Sequence, residues 1–537
     1  LINSGGVIQT PWSEGQNVRH LEPLGFIKFD LLGLSTLEMI ESCVRHLLKR
    51  EVGVANPTYL DIKSWYDKNL HPDILDLDDK SVYDHVFHKG NFVGIFQFTN
   101  NGAQTFCKQA KPNSIIDISA VTSIYRPGPL SAKVDQDYVK AKKDPENIHY
   151  VNDIVKEVTE ETAGFLIFQE QIALLAYKLG KGITLDEANL LRKLLTKKGT
   201  GKGAQEKERI RVKFVDGCME KKIDRATANA MWEKFEFFSG YGFCKSHAVS
   251  YSLLSYQCAW LYYYYPECWS AAFLDKEPES RKEAAVNLVQ KYGFGIEKVN
   301  INTSTEQWEI GPNKTLIQPL SSIKGLGVKA IEQILNNRPF NTPEELLFTE
   351  DVVYSKLNKK ALEALCLAGA MTSLVDERFT GLKHFWLSCV KNRPKTRKKL
   401  ETHINEFKVD EDFTPERRIE DISSRTGIYP FDLVLTSELR TAIEKYKVPP
   451  LGNWDKSLKY AWFIPREVIK RKTKTGREYW IVKVIDETST ITNIRCWGII
   501  PGSDAIHLNR VYASALDFHP TWGYSTKSIK SNFKLLG

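Results

Sequence analysis

The sequence predicts a mainly α-helical, multidomain chain that ends in a small β-barrel, and three observations carry the prediction. From Leu37 to about Asp275, apolar residues recur at three-to-four spacing, the period of helices with one buried face. From about Lys456 the period falls to two: Trp480, Val482 and Val484 alternate with Tyr479, Ile481 and Lys483, as in a half-buried strand. A length of 537 residues exceeds what one core holds, so about three or four domains are expected.

Residues 1–35 read as two short strands joined by a loop. A helix follows at Leu34-Ser35-Thr36-Leu37-Glu38, with Ser35 as N-cap and Glu38 completing a capping box. The opening Ile2-Asn3-Ser4-Gly5-Gly6-Val7 reads as the interior of a domain, so an N-terminal part is expected to lie elsewhere. The helical stretch is punctuated at Pro127, Pro129, Gly182 and Gly199. A smaller unit runs from Asn300 to about Ser373. Residues 391–427 turn charged and poor in apolar side chains, a linker or exposed arm. In the tail, Lys474-Thr475-Gly476-Arg477 is a turn between strands, and another strand runs through Ile491 to Trp497, which together give the barrel. There is no long-period internal repeat.

Composition narrows the class. Hydrophobic residues, at 42%, suffice for several cores, and a net charge of +8 favours a polyanionic partner. The nine cysteines are scattered, without a CxxC pair or zinc spacing, which fits free thiols in a reducing cytosol. The most apolar region, Ala259 to Phe273, is broken by Pro266 and Glu267, and no signal peptide is evident. A cytoplasmic protein without a membrane partner is therefore expected.

Several constellations have chemical potential. In Gly25-Phe26-Ile27-Lys28-Phe29-Asp30-Leu31-Leu32-Gly33-Leu34 the alternation of a strand puts Lys28 and Asp30 on one face, where Asp30 can ligate a metal or simply cap a turn. Asp76-Leu77-Asp78-Asp79 resembles a metal pair but precedes a helical pattern, which favours capping. Arg126 stands before Pro127-Gly128-Pro129, a cation on a rigid turn suited to a phosphate or a carboxylate. The run Leu190 to Gly199 groups Arg192, Lys193, Lys197 and Lys198 without acidic partners inside it, either a solvated helix face or an anion site. The turn Gly240-Tyr241-Gly242-Phe243 brings backbone close to a ligand or ends a helix, with Lys245, Ser246 and His247 directly after it. In Ser322-Ile323-Lys324-Gly325-Leu326-Gly327-Val328-Lys329 two glycines permit a tight hairpin whose amides meet a backbone phosphate. Lys472, Lys474 and Arg477 cluster at the barrel turn beside Trp480, a pattern suited to single strands.

Taken together, the stretches Gly25 to Leu34 and Phe238 to Ala248 resemble the alpha subunit of bacterial DNA polymerase III, the C-family replicative polymerases. So do Gly94 to Phe98, Ile124 to Leu130, Phe168 to Gln171 and Leu190 to Gly199. The resemblance runs from about residue 7 to 375 and more weakly to the end. Two positions depart from the family pattern: Lys193 replaces a second arginine, and Cys244 stands where asparagine is usual.

The resemblance implies the end of a nucleotidyltransferase-like palm at 1–35, helical fingers at 36–299 and a helix-hairpin-helix region at 300–375. A connecting segment at 376–455 and an OB-type barrel at 456–537 complete the order. It implies template-directed addition of deoxynucleotides to a primer 3′ end with two Mg2+ ions. Asp30 would hold metal and Lys28 would lie near it. Arg126, Arg192, Lys193, Lys197, Tyr241, Lys245, Ser246 and His247 would face the nucleotide, and Lys324, Gly325, Gly327, Lys329, Lys472, Lys474, Arg477 and Trp480 would meet DNA. The family builds its metal site from an Asp-x-Asp pair plus a third aspartate. No such pair precedes Asp30, so an N-terminal polymerase polypeptide is implied as a partner alongside primer-template DNA and nucleotides. A sliding clamp is a further implied partner, although no Gln followed by a Leu-Phe pair stands between Asn300 and Pro450. The alternative reading is a non-catalytic DNA-binding subunit that keeps the fingers, hairpin and barrel.

Overall fold

The computed structural model describes residues 2–4, 6–9, 25, 32–196, 202–239, 242–473, 475–499, 505–519 and 522–536. The chain divides into two compact units, residues 1–38 and 39–537. In the first, β1 (Ile2–Ser4) and β2 (Val7–Gln9) form an antiparallel hairpin with Ser4 opposite Val7, and Gly6 takes the positive φ of 84° that the tight connection needs. The helix that follows spans Ser35–Leu47, so Ser35 is its first residue rather than the residue ahead of it.

The second unit opens on helices gathered around the long helix Lys245–Tyr264. Its buried polar side chains reach out to loop carbonyls: Gln257 Nε2 donates to Leu70 O (2.8 Å), the Tyr256 hydroxyl to Asp76 O (2.8 Å) and Ser255 Oγ to Phe96 O (2.9 Å). Each buried donor thereby finds an acceptor, and each bond pins one connecting loop to the central helix. Tyr83, Phe87, Phe98, Tyr138 and Trp269 fill the space between. Gly94, at φ 63°, admits no side chain, since a Cβ there would come within 2.6 Å of Phe273. Asp79 caps the helix at Lys80, accepting the Ser81 amide at 2.8 Å, as the capping reading of the Asp76–Asp79 run expects.

A separate cluster lies between residues 158 and 238. Leu175, Leu179, Leu191, Ile210, Phe214 and Phe235 pack helices Gln169–Leu179, Leu185–Thr196, Lys202–Glu220 and Arg225–Ser239 together. Next come β3 (Gly295–Glu297), β4 (Glu309–Ile310) and β5 (Thr315–Ile317), a small sheet of order β3-β5-β4. A further core, from Val299 to Phe413, holds helices Val328–Asn337 and Lys359–Leu367.

The C-terminal sheet has seven strands: β6 (Tyr460–Lys472), β7 (Glu478–Ile485), β8 (Ile491–Cys496), β9 (Tyr512–Ala515), β10 (Asp517–His519), β11 (Gly523–Thr526) and β12 (Lys534–Leu535). Their order is β10-β11-β8-β7-β6-β9-β12, antiparallel except for β8 with β11. The sheet curls into an OB-like half-barrel. Strand β6 is buried on both sides at its start: Ala461 and Phe463 enter the barrel core, while Trp462 and Ile464 pack against Ile419, Leu439 and Ile443.

Those last residues belong to the stretch expected as a connecting segment, with an exposed arm over 391–427. It carries helices Arg397–Glu406, Pro415–Thr426 and Ser437–Tyr446 and buries Leu400, Phe413 and Ile419. A charged helix needs only a narrow apolar stripe to dock, so low apolar content over 391–427 did not mean an unpacked chain.

Candidate functional site

Two distant segments meet in an isolated parallel bridge between Phe168 and Phe243. Phe243 N donates to Ile167 O (3.2 Å), Gln169 N to Phe243 O (2.9 Å) and Gln169 Nε2 to Gly242 O (2.9 Å). The glycine at 242 suits this approach, because a Cβ would come within 3.0 Å of the Gln169 side chain and 3.3 Å of Phe238 O, so that a neighbour would have to shift. The bridge sets the start of helix Lys245–Tyr264 beside the start of helix Gln169–Leu179.

Glu170 occupies the junction. Its Oε2 accepts the Lys245 backbone amide at 2.8 Å, and its Oε1 accepts Arg192 Nη1 at 3.4 Å. A carboxylate at a helix start satisfies one of the open amides and complements the dipole, worth about 1 kcal/mol. Lys245 Nζ is held by both oxygens of Glu161, at 2.6 and 2.7 Å, and lies 5.8 Å from the centre of the Phe168 ring.

Arg126 precedes the short helix Pro127–Ser131 and donates Nε to Ser123 O at 3.0 Å. Its guanidinium stacks 4.5 Å from the Phe243 ring centre, and partial burial lowers its pKa, which still leaves an arginine charged. The stack continues through His247, 5.3 Å from Phe243 and 4.2 Å from Tyr251, to Phe96, 5.1 Å from Tyr251. Ser246 and His247 are exposed, and Ser246 Oγ lies 3.1 Å from Cys244 Sγ.

The structure therefore gathers Arg126, Arg192, Lys245, Ser246 and His247 around the Phe168–Phe243 bridge. Lys193 is exposed on the helix that carries Arg192. Lys197 and Tyr241 lie outside the described residues, as do Lys28, Asp30 and Lys474. Sequence reasoning missed Glu161 and Glu170; the second stood inside a quoted block, but its partner Lys245 is 75 residues away. Among the described residues no group of three or more histidine, cysteine, aspartate or glutamate side chains is placed to hold a metal ion.

The glycine hairpin is presented to solvent. Gly325 has φ 94°, Gly327 precedes helix Val328–Asn337, and Lys324, Gly325, Gly327, Val328 and Lys329 are exposed. The segment ahead of the turn is a 3-10 turn, Leu320–Ser322, rather than a long helix. The Lys324 amide donates to Arg425 O at 2.8 Å and the Leu326 amide to Ile323 O at 3.0 Å, so a phosphate would be met by the amides from Gly327 onward and not by these.

At the barrel turn, Thr473 N donates to Arg477 O (2.9 Å), Gly476 takes φ 81°, and Lys472 and Arg477 are exposed. Trp480 does not join them. It is 6% exposed in the barrel core beside Val482 and Cys496, its indole nitrogen bonded to Glu478 Oε1 at 2.9 Å. The alternation of β7 dictates this, since Trp480 shares its face with Val482 and Val484. The opposite face carries Tyr479, stacked 4.7 Å from Trp497, and Arg495, whose guanidinium carbon is 5.8 Å from the ring of Trp522, 62% exposed.

Two stretches of the chain match known protein families. Residues 53–222 match the model of the bacterial DNA polymerase III alpha subunit finger domain, and residues 293–381 match a helix-hairpin-helix motif. The chain is 32% identical over 357 residues to the DNA polymerase III subunit alpha of Campylobacter jejuni, 33% over 362 residues to that of Xylella fastidiosa and 31% over 403 residues to that of Helicobacter pylori. These alignments take in 65%, 67% and 73% of this chain but only 28%, 29% and 31% of those subunits. Among the described residues no helix is long and apolar enough to cross a membrane. With a matching finger domain, a helix-hairpin-helix motif after it and about a third of aligned positions identical, the chain is a relative of the bacterial DNA polymerase III alpha subunits.

Proposed function

We propose that this chain is the C-terminal part of a C-family replicative DNA polymerase, one that adds deoxynucleotides to a primer 3′ end on a template. The observation that carries the proposal is the gathering of Arg126, Arg192 and Lys245 around the Phe168–Phe243 bridge. Each is half-buried, and Arg192 and Lys245 are held by carboxylates that a triphosphate can replace. The primer hydroxyl oxygen bonds the α-phosphorus and pyrophosphate leaves; guanidinium and ammonium groups that grip the β and γ oxygens stabilise the leaving charge. Arg126, fixed by Phe243 and Ser123 O, orients one end of the triphosphate. Arg192 and Lys245 release Glu170 and Glu161 to take the other, with Lys193, Ser246 and His247 beside them; Lys197 and Tyr241, outside the described residues, are assigned to the nucleotide on their sequence blocks alone.

Asp30 is assigned as one metal carboxylate with Lys28 beside it, and the Asp-x-Asp pair is assigned to an N-terminal polymerase polypeptide beyond these 537 residues. When bound, Mg2+ supplies the charge neutralisation that in-line displacement requires. The Gly325 to Gly327 hairpin and the barrel turn at Lys472 and Arg477 hold the primer-template, and the site of action is the bacterial or phage-infected cytoplasm. The test is primer extension with magnesium and all nucleotides, by the chain alone and with the Asp-x-Asp polypeptide. Extension only in the mixture, abolished by Asp30→Ala while DNA affinity stays within about 2-fold, supports the reading. Robust synthesis by the chain alone overturns the divided site, and DNA binding without extension in the mixture favours the non-catalytic subunit.

A further inference from the structure

The stretch between the hairpin core and the barrel carries a surface that no role above uses. Residues 391–399 contain six basic side chains and no acidic one. Two of them are anchored: Arg393 stacks 3.9 Å from the centre of the Tyr354 ring, and Lys391 Nζ lies 5.0 Å from that of Trp386. Lys395, Arg397, Lys398 and Lys399 are exposed. The last three occupy the first turn of helix Arg397–Glu406, the end at which the helix dipole favours anions, so their charge opposes the fold they sit on. Among the described residues Lys395, Arg397 and Lys398 have no carboxylate at ion-pair distance, and Lys399 has only Glu406 at 3.9 Å; Glu401 and Glu406 lie on later turns. The turn that presents Tyr354 also bears Lys356 and leads into helix Lys359–Leu367, whose first two lysines are exposed. Leu357, Val390 and Leu400 tie all of this to the core that also holds Leu326 of the glycine hairpin.

We propose that this basic surface binds the phosphate backbone of duplex DNA, as a second contact next to the hairpin. The inference rests on the reading of the chain as a DNA-handling polymerase part, but its exposed cations Lys395 and Arg397 to Lys399 lie beyond residues 293–381 that match the helix-hairpin-helix motif. A row of exposed point charges without an enclosing pocket fits a repeated anion and not a single one. The nearby rings, Trp386 and Tyr354, are covered by Lys391 and Arg393, so bases find no stacking platform here and single strands are not the ligand this surface favours.

The test uses the full chain with Lys395, Arg397 and Lys398 all changed to alanine, and measures affinity for a duplex of about 20 base pairs by anisotropy over a salt series. Losing three phosphate contacts should weaken binding about 10-fold or more near 0.1 M salt and reduce the log–log salt slope by about 2.7. Exchanging lysine and arginine at the three positions should restore both. Removal of cations from a helix start leaves the fold at least as stable, so an unchanged or raised Tm is expected alongside. A wild-type slope and affinity in the triple variant overturn the inference and leave the polymerase reading standing. Absence of duplex binding by the wild-type chain overturns both, and an equal or larger loss on a single strand or an acidic peptide assigns the surface to that ligand instead.

Discussion

Glu170 and Lys245 are joined through the main chain: the carboxylate of Glu170 takes the Lys245 amide at 2.8 Å, while its other oxygen faces Arg192. One acidic side chain thus caps the central helix and keeps a candidate triphosphate cation in place. Its two tasks are separable by mutation.

Glu170→Gln keeps an oxygen for the amide but removes the ion pair. The Tm should change little, since a solvent-accessible pair of this kind contributes about 1 kcal/mol or less. Glu170→Ala loses the cap as well and should destabilise by about 1–2 kcal/mol. Thermal denaturation separates the two variants; equal losses would mean that the cap contributes nothing.

The cysteines give a probe of the same site. Burial pushes the thiols of Cys258, Cys268 and Cys496 up to about 12 and that of Cys218 to about 11, so they stay neutral and unreactive at pH 8. Cys244, beside Ser246, is the half-exposed one of the nine. Iodoacetamide at pH 8 should label Cys244 first, a deoxynucleoside triphosphate should slow that labelling, and the others should react on unfolding. Peptide mass mapping that finds the buried thiols modified in the native protein would count against this arrangement.

Two tryptophans of the barrel should behave oppositely. Trp480→Ala empties a core position and should cost about 3–5 kcal/mol of stability. Trp522→Ala removes an exposed ring and should leave Tm almost unchanged while weakening single-strand binding by about 1 kcal/mol or more. Melting curves and a single-strand titration on both variants decide it. Loss of binding without loss of stability in Trp480→Ala would show that the buried face is the working one.

The helical period before Asp275 and the alternation around Trp480 were legible because each is a local pattern with one buried face. The helices at 397–406 and 415–426 were not, since Leu400, Ile404, Ile419 and Ile422 are the only large apolar side chains they offer, and docking partners for them lie elsewhere in the chain. Trp480 was assigned to DNA by its neighbours Lys472 and Arg477, although its own strand phase grouped it with Val482 and Val484. The cations Arg126, Arg192 and Lys245 stand in short blocks, which is why the sequence suggests grouping them. Glu161 escaped because its role is defined by Lys245, 84 positions on, a pairing that no local pattern encodes.

The most direct test of the account is Arg192→Ala in the reconstituted polymerase, with nucleotide KM, kcat and primer-template Kd all measured. If Arg192 leaves Glu170 to hold the triphosphate, kcat/KM for the nucleotide should fall about 10-fold or more, carried by KM or kcat, while DNA affinity stays within about 2-fold. A loss confined to DNA affinity, with nucleotide kinetics intact, would make this helix a duplex contact and contradict the nucleotide site proposed around Glu170.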